Sequence, residues 1–427
     1  MTNNDIFRNR AAACEAHDDI PRSPEDGETI GEVIIRRYSR RDVMRGTLGV
    51  TAAAALFGPA AFRASTAAAA TTADRFDFDG VEPGIDTTHH VAAGYQAKPL
   101  LRWGDPLAPG LPPFNPNNQS AADQLKRFGY NNDYIAYFPI DGSSTHGLLC
   151  INHEYTNEEL MFPGIKKRQD TSGFGDMTAE IVDVEMAAHG VTVVEIVRKG
   201  ADWEAVLDSP YNRRISPAST VMSVDGPAVG NKRLQTSGDP SGKTIQGTLN
   251  NCAGGKTPWD TYLTAEENFH GYFWTNHCEP GGAAPTGLGG DQAQSYARYG
   301  IPGLWQAWGK FIDRFNVDAE PNEPNRFGWI VEIDPFEPDS EPVKHTALGR
   351  FCHEGAECVV NTDGRIVVYC GDDGRGEYVY RFVSAGHYDP DDRAANKRLL
   401  SHGLMSVARF DADGKVHWLP LEFGRPC

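Results

Sequence analysis

The segment Cys358-Val359-Val360-Asn361-Thr362-Asp363-Gly364-Arg365-Ile366-Val367-Val368-Tyr369 sets the fold class. Two β-branched runs flank an Asp-Gly pair, and that dipeptide tolerates the positive φ a tight hairpin requires, so the spacing predicts two antiparallel strands. The same grammar recurs outward. Residues 405–410 and 416–419 flank Asp411-Ala412-Asp413-Gly414, while 377–383 (EYVYRFV) and 327–334 (FGWIVEID) read as further strands. Upstream, 133–140, 147–152 and 191–197 (VTVVEIV) continue the series, and 211–215 is a turn-flanked polar segment. Short strands in succession with few helical stretches predict an all-β fold, a β-propeller or a sandwich. Residues 283–312, with glycines at 287, 289 and 290, read as an insertion made of a loop and a short helix. There is no strict internal repeat of the kind that would fix the number of blades.

Composition agrees with that class. A chain of 427 residues buries a large core, and 45 glycines with 28 prolines suit a fold of many turns. The formal net charge of −18 excludes nucleic acid as a partner, because a phosphate backbone would be repelled. Acidic excess serves solubility and also suits a protein that gathers cations. Eight cysteines without a CxxC pair do not form a disulfide framework.

The N-terminus reads as an address. Residues 1–38 are polar and aperiodic, a disordered leader. Residues 39–70 then run Ser39-Arg40-Arg41-Asp42-Val43-Met44-Arg45, a mildly apolar stretch, and the small-residue tract Ala67-Ala68-Ala69-Ala70. Basic, apolar and small-residue regions in that order describe an export signal, and the paired arginines match the twin-arginine type. Gly58-Pro59 and Arg63 interrupt the apolar run, so no permanent membrane anchor is expected. The expected destination is the periplasm or the exterior, with the export machinery as a partner and 71–427 as the mature domain.

Candidate chemistry centres on Asn251 to Phe269, NCAGGKTPWDTYLTAEENF. It reads as a glycine-bearing turn carrying Cys252, a strand through Trp259, Tyr262 and Leu263, and two adjacent acids, Glu266 and Glu267. A soft thiolate beside hard carboxylates makes sense where a metal draws on both. Three further segments place acids at strand ends: Asn152-His153-Glu154-Tyr155, Cys352-His353-Glu354-Gly355 and Gly371-Asp372-Asp373-Gly374-Arg375-Gly376-Glu377. Carboxylates from separate loops suit Ca²⁺, and an arginine among them suits phosphate oxygens. Each piece also has a structural reading. His153 and His353 serve equally as hydrogen-bonded strand ends, Asp372-Asp373 as turn formers, Arg375 and Glu377 as a same-face strand pair, and Cys352, Cys358 and Cys370 as small buried hydrophobes. The chain lacks a Gly-x-Ser-x-Gly elbow, a P-loop and an HExxH helix, so hydrolysis would need metal assistance.

Taken together, NHEYT (152–156), NCAGGKTPWDTYLTAEEN (251–268), GRFCHEGAE (349–357), GDDGRGEYVYRF (371–382) and the Arg40-Arg41 signal resemble the PhoX family of twin-arginine-exported bacterial alkaline phosphatases. The resemblance implies a six-bladed β-propeller that hydrolyses small phosphomonoesters at a cluster of Fe³⁺ and Ca²⁺ ions. It implies that Cys252 bridges two ferric ions, that Glu266, Glu267, Glu354 and Glu377 ligate metals, and that Arg375 contacts phosphate. Glu154 and Asp373 carry over as ligands without an assigned metal. The family's chains continue beyond the position of Cys427, so the propeller is expected to be incomplete here. The alternative is a non-catalytic, calcium-binding exported propeller that binds a surface ligand.

Overall fold

The computed structural model describes residues 80–422 except 83, 86, 278–287 and 289. The expected leader (1–38) and export signal (39–70) lie outside the described residues. The chain divides into two units, Met1–Pro99 and Leu100–Cys427, and the elements below belong to the second. Among the described residues no helix is long and apolar enough to cross a membrane.

The fold is mostly β, as expected. Sixteen strands form three sheets, and none of them closes among the described residues. The first contains β1 (Asn132–Pro139), β2 (His146–His153), β3 (Gly190–Lys199) and β4 (Asp202–Ala205) in sequential order, with β5 (Arg213–Ile215) also pairing with β3. The second contains β6 (Val221–Asp225), β7 (Thr244–Gln246), β8 (Asn251–Lys256), β9 (Tyr262–Glu266), β10 (Ile330–Ile333) and β11 (Val343–His345), in the order β7-β6-β11-β10-β9-β8. The third is a meander of β12 (Glu357–Val360), β13 (Arg365–Gly371), β14 (Val379–His387), β15 (Gly403–Phe410) and β16 (Val416–Pro420).

The predicted hairpin is β12–β13. Asn361 N–H donates to Arg365 O, Gly364 N–H donates to Asn361 O, and Gly364 takes φ +84°, which glycine adopts without strain. The same turn closes β15–β16 at residues 411–414, where Gly414 has φ +81°.

The middle sheet is buried on both faces, which explains why β9 and β10 are buried along their whole length rather than alternating buried and exposed. Successive side chains still point to opposite sides. Tyr262, Val331 and Ile333 pack with Phe138, Leu148, Val191 and Val193 of the first sheet. Leu263, Ala265 and Ile330 pack with Ile366, Val368 and Phe382 of the third. Truncating Leu263 to Ala would cost about 2–5 kcal/mol by leaving a cavity there. The long segment between β9 and β10 builds its own core around Phe269, Tyr272, Trp274, Trp308 and Phe327. There the expected insertion includes helix Ala293–Tyr299, here α1.

Three sheet-edge strands, β1, β8 and β12, converge. Gly254 and Gly255 make this possible: a Cβ on Gly255 would lie 1.9 Å from Ala356 O, and one on Gly254 would lie 2.2 Å from Leu263 O. This corrects the reading of 251–256 as a turn. The glycines mark close backbone approach inside a strand, and the turn falls later, around Pro258 and Trp259.

Candidate metal centre

Cys252 sits on β8 where the ladder slips. Asn251 pairs with Glu266 but Gly254 pairs with Thr264, so three steps on one strand oppose two on the other. Such a bulge frees backbone groups and re-aims a side chain. The freed carbonyls of Cys252 and Ala253 both accept from Asn152 Nδ2, the latter at 3.1 Å, and Asn152 Oδ1 accepts from Tyr262 Oη at 2.8 Å. A second bulge interrupts β1 between Asn132, paired with His153, and Ile135, paired with Ile151. It carries Asp133, whose Oδ2 lies 3.2 Å from Cys252 Sγ. Asp133 was not singled out in the sequence, because nothing local marks a bulge whose register depends on the partner strand.

Around Cys252 the sheet ends supply the other acids. Glu354 follows a bridge between His353 and Asp372, and its two oxygens stand 3.4 and 3.5 Å from Cys252 Sγ. Glu267 lies one residue past β9, with its N–H bonded to Asn250 O and its carboxylate accepting from Asn268 Nδ2. Glu154 lies one residue past β2. Two groups result, each with ligand atoms within 4.8 Å of one another: Asp133, Glu154 and Cys252, and Cys252, Glu267 and Glu354. Cys252 belongs to both.

Burial and mutual repulsion favour the neutral forms of Glu154, Glu267, Glu354 and Cys252. Burial, then Glu354 and Asp373, push Glu267 up to about 9; burial, then Asp133 and Glu354, push Glu154 to about 7. The Cys252 thiol is raised by burial, then by Glu267 and its contact with Asp133. Beyond burial, the groups that raise each acid are the other acids, and a cation would relieve that repulsion. The donor set fits: carboxylates for hard cations, with a thiolate for iron.

The remaining candidates separate. Asp373 joins the cluster through Glu267, whereas Asp372 forms a turn, its Oδ1 accepting from Gly374 N–H at 3.1 Å. Arg375 is exposed on that loop, and Glu377 closes a turn with Gly374 rather than starting a strand. β14 begins only at Val379. Glu377 Oε2 pairs with Arg298 Nη2 of α1 at 3.1 Å, and it is not in either ligand group.

Glu266 is also outside them. It is fully buried and accepts from Lys344 Nζ at 2.7 Å and from the N–H groups of Leu249, Gly328 and Trp329. The expectation of Glu266 as a metal ligand is corrected accordingly: consecutive strand residues face opposite sides, so only Glu267 turns to Cys252.

His153 and His353 follow their structural readings, bonding Thr192 Oγ1 at 2.7 Å and Gly349 O at 3.0 Å. Cys358 and Cys370 are core residues; Cys352 is only partly buried, its thiol pushed to about 12 by burial and then by Asp372 and Glu267.

The family model described as alkaline phosphatase PhoX matches residues 76–426. No curated protein sequence matches the chain. Among solved structures, Pseudomonas fluorescens PhoX in complex with vanadate, a transition state analogue, is 40% identical with a TM-score of 0.73, over 82% of this chain and 59% of that one. The chain therefore spans less than two thirds of that relative's length.

Proposed function

This chain belongs to the PhoX alkaline phosphatase family, and on that premise we propose that it is an exported, metal-dependent phosphomonoesterase using iron and calcium. The observation that carries the reading is the membership of Cys252 in two adjacent ligand groups, the position a bridging thiolate would need. Vanadate in the related structure is a mimic of the five-coordinate phosphoryl group, which supports phosphoryl transfer as the chemistry. A six-bladed propeller is the proposed architecture, and the convergence of three sheet edges supports it.

In this reading Cys252 joins the two halves of the centre. Asp133 and Glu154 complete one side, Glu267 and Glu354 the other, and Asp373 braces Glu267. Bound cations would supply the Lewis-acid charge that neutralises phosphate and activates the attacking oxygen. Arg375, on its exposed loop, holds phosphoryl oxygens through its planar fork of donors. Glu377 as a direct metal ligand remains part of the proposal; its Oε2 pairs with Arg298, which leaves Oε1 for that role. A site that grips only the phosphoryl group discriminates little among leaving groups, so small phosphomonoesters as a class are the proposed substrates.

The test is elemental analysis of the purified protein together with p-nitrophenyl phosphate hydrolysis at alkaline pH. Iron and calcium with turnover are expected. A folded sample holding calcium alone and releasing no nitrophenol would favour the non-catalytic alternative, and one holding neither metal sinks both.

A further inference from the structure

From the segment between β9 and β10, helix α1 reaches the site through Arg298. Helix α1 directs Arg298 onto the loop that follows β13, where its guanidinium meets Glu377 Oε2 at 3.1 Å and Asp372 Oδ2 at 3.7 Å. Asp372 is nearly inaccessible there and Arg298 is about half exposed, with 4% and 45% of their side chains open to solvent. The next residue in the helix anchors it: Tyr299 Oη donates to Arg350 O at 2.7 Å, and the Arg350 guanidinium lies over the Tyr299 and Phe269 rings at 4.5 and 4.7 Å. Phe269 stands two residues beyond Glu267. The loop held by Arg298 carries Asp373, whose carboxyl raises that of Glu267, and Arg375.

We propose that Arg298 is a positioning residue of the phosphate site: by clamping Glu377 and Asp372 it fixes the loop that presents Arg375 and Asp373 to the metal centre. The inference rests on the phosphatase reading above. It follows from how outer partners work: a carboxylate with one oxygen tied to a guanidinium has a fixed orientation, and losing such a partner typically weakens a site tenfold or more. A partly exposed ion pair contributes little to global stability, so a purely structural Arg298 would leave binding unchanged.

The experiment is calorimetric titration of the metal-loaded full chain with inorganic phosphate, comparing wild type, R298M, R298K, E377Q and the R298M/E377Q double variant. R298M should weaken phosphate binding about tenfold at unchanged melting temperature, with partial recovery in R298K. In the double variant the R298M loss should not add to that of E377Q, because E377Q, which also removes a proposed ligand, has already broken the clamp. Equal phosphate affinity in R298M and wild type overturns the inference, as do additive losses in the double variant. A melting temperature that falls in R298M and R298K alike, with affinity lost equally in both, assigns Arg298 to folding and overturns it as well. Wild-type protein that binds no phosphate overturns the functional reading itself, a result distinct from the others.

Discussion

Glu266 and Glu267 are adjacent in sequence and opposite in circumstance. Glu266 has a donor for every demand: the Lys344 ammonium, and backbone N–H groups from Leu249, Gly328 and Trp329. Glu267, one residue on, is raised by burial and then by other carboxylates. A fold tolerates the first arrangement without further help, since a buried charge is stable when paired and hydrogen-bonded. The second arrangement makes sense when something positive arrives. Matched charge marks framework, and unmatched charge of one sign marks a site.

The largest effect should come from breaking the matched side. Lys344 is fully buried, donates also to Arg326 O at 3.1 Å, and lies over the Phe327 ring at 4.1 Å. Lys344→Met leaves the buried Glu266 without its counter-charge in the core, with an expected loss of about 3–5 kcal/mol in urea unfolding. A loss below about 1 kcal/mol would show that Glu266 does not depend on its partner. On the unmatched side, Cys252→Ala removes the atom shared by both ligand groups. Phosphomonoester turnover is expected to fall about 10²- to 10³-fold, while urea unfolding of the metal-free protein stays close to wild type. Full turnover in that variant would dissolve the idea of one joined centre.

The third test separates the two kinds of charge by pH. Burial alone would lower His345, but Asp225 at 2.9 Å and Glu332 at 2.8 Å raise it to about 10. Its folded value exceeds the unfolded value of about 6.5, so the stability it adds is complete below that pH and lost as pH rises through about 10. Glu267, raised to about 9, has the same sign in the metal-free protein: its contribution is lost as pH rises through that value. Urea unfolding from pH 7 to 10.5 should therefore show a decline on the order of 6 kcal/mol, more of it from His345 than from Glu267. Added calcium and iron should abolish the Glu267 part and leave the His345 part, which His345→Gln removes. A decline insensitive to metals would mean that Glu267 does not face them.

Much of this was legible in the chain. The Asp363-Gly364 hairpin formed where the dipeptide placed it, and the His-Glu segments brought Glu154 and Glu354 to Cys252 while both histidines stayed structural. The Glu266-Glu267 distinction was available too, because a period of two sends neighbours to opposite faces. Three things were hidden for physical reasons. Gly254-Gly255 resembles a turn, and its actual use, letting β8 approach Ala356, is a tertiary contact. Arg298 lies 79 residues before Glu377, with no periodic signal linking them. Asp133 reaches the site only because two bulges, on strands of different sheets, face each other.

Asp133 gives the smallest and most discriminating of these tests. Asp133→Asn keeps the shape and one oxygen but removes a charge from the group that also holds Glu154 and Cys252. Glu154 remains to serve that side, so the loss in kcat/KM should be about tenfold, well short of that for Cys252→Ala. Removing one acid also removes part of the repulsion on Glu154, which burial first and Asp133 second hold near 7. In the metal-free variant the Glu154 carboxyl should therefore titrate lower, a shift that ¹³C-detected NMR of labelled glutamate would read. Unchanged turnover with an unchanged Glu154 titration would place Asp133 among the matched framework charges instead, and the boundary between the two regions would move with it.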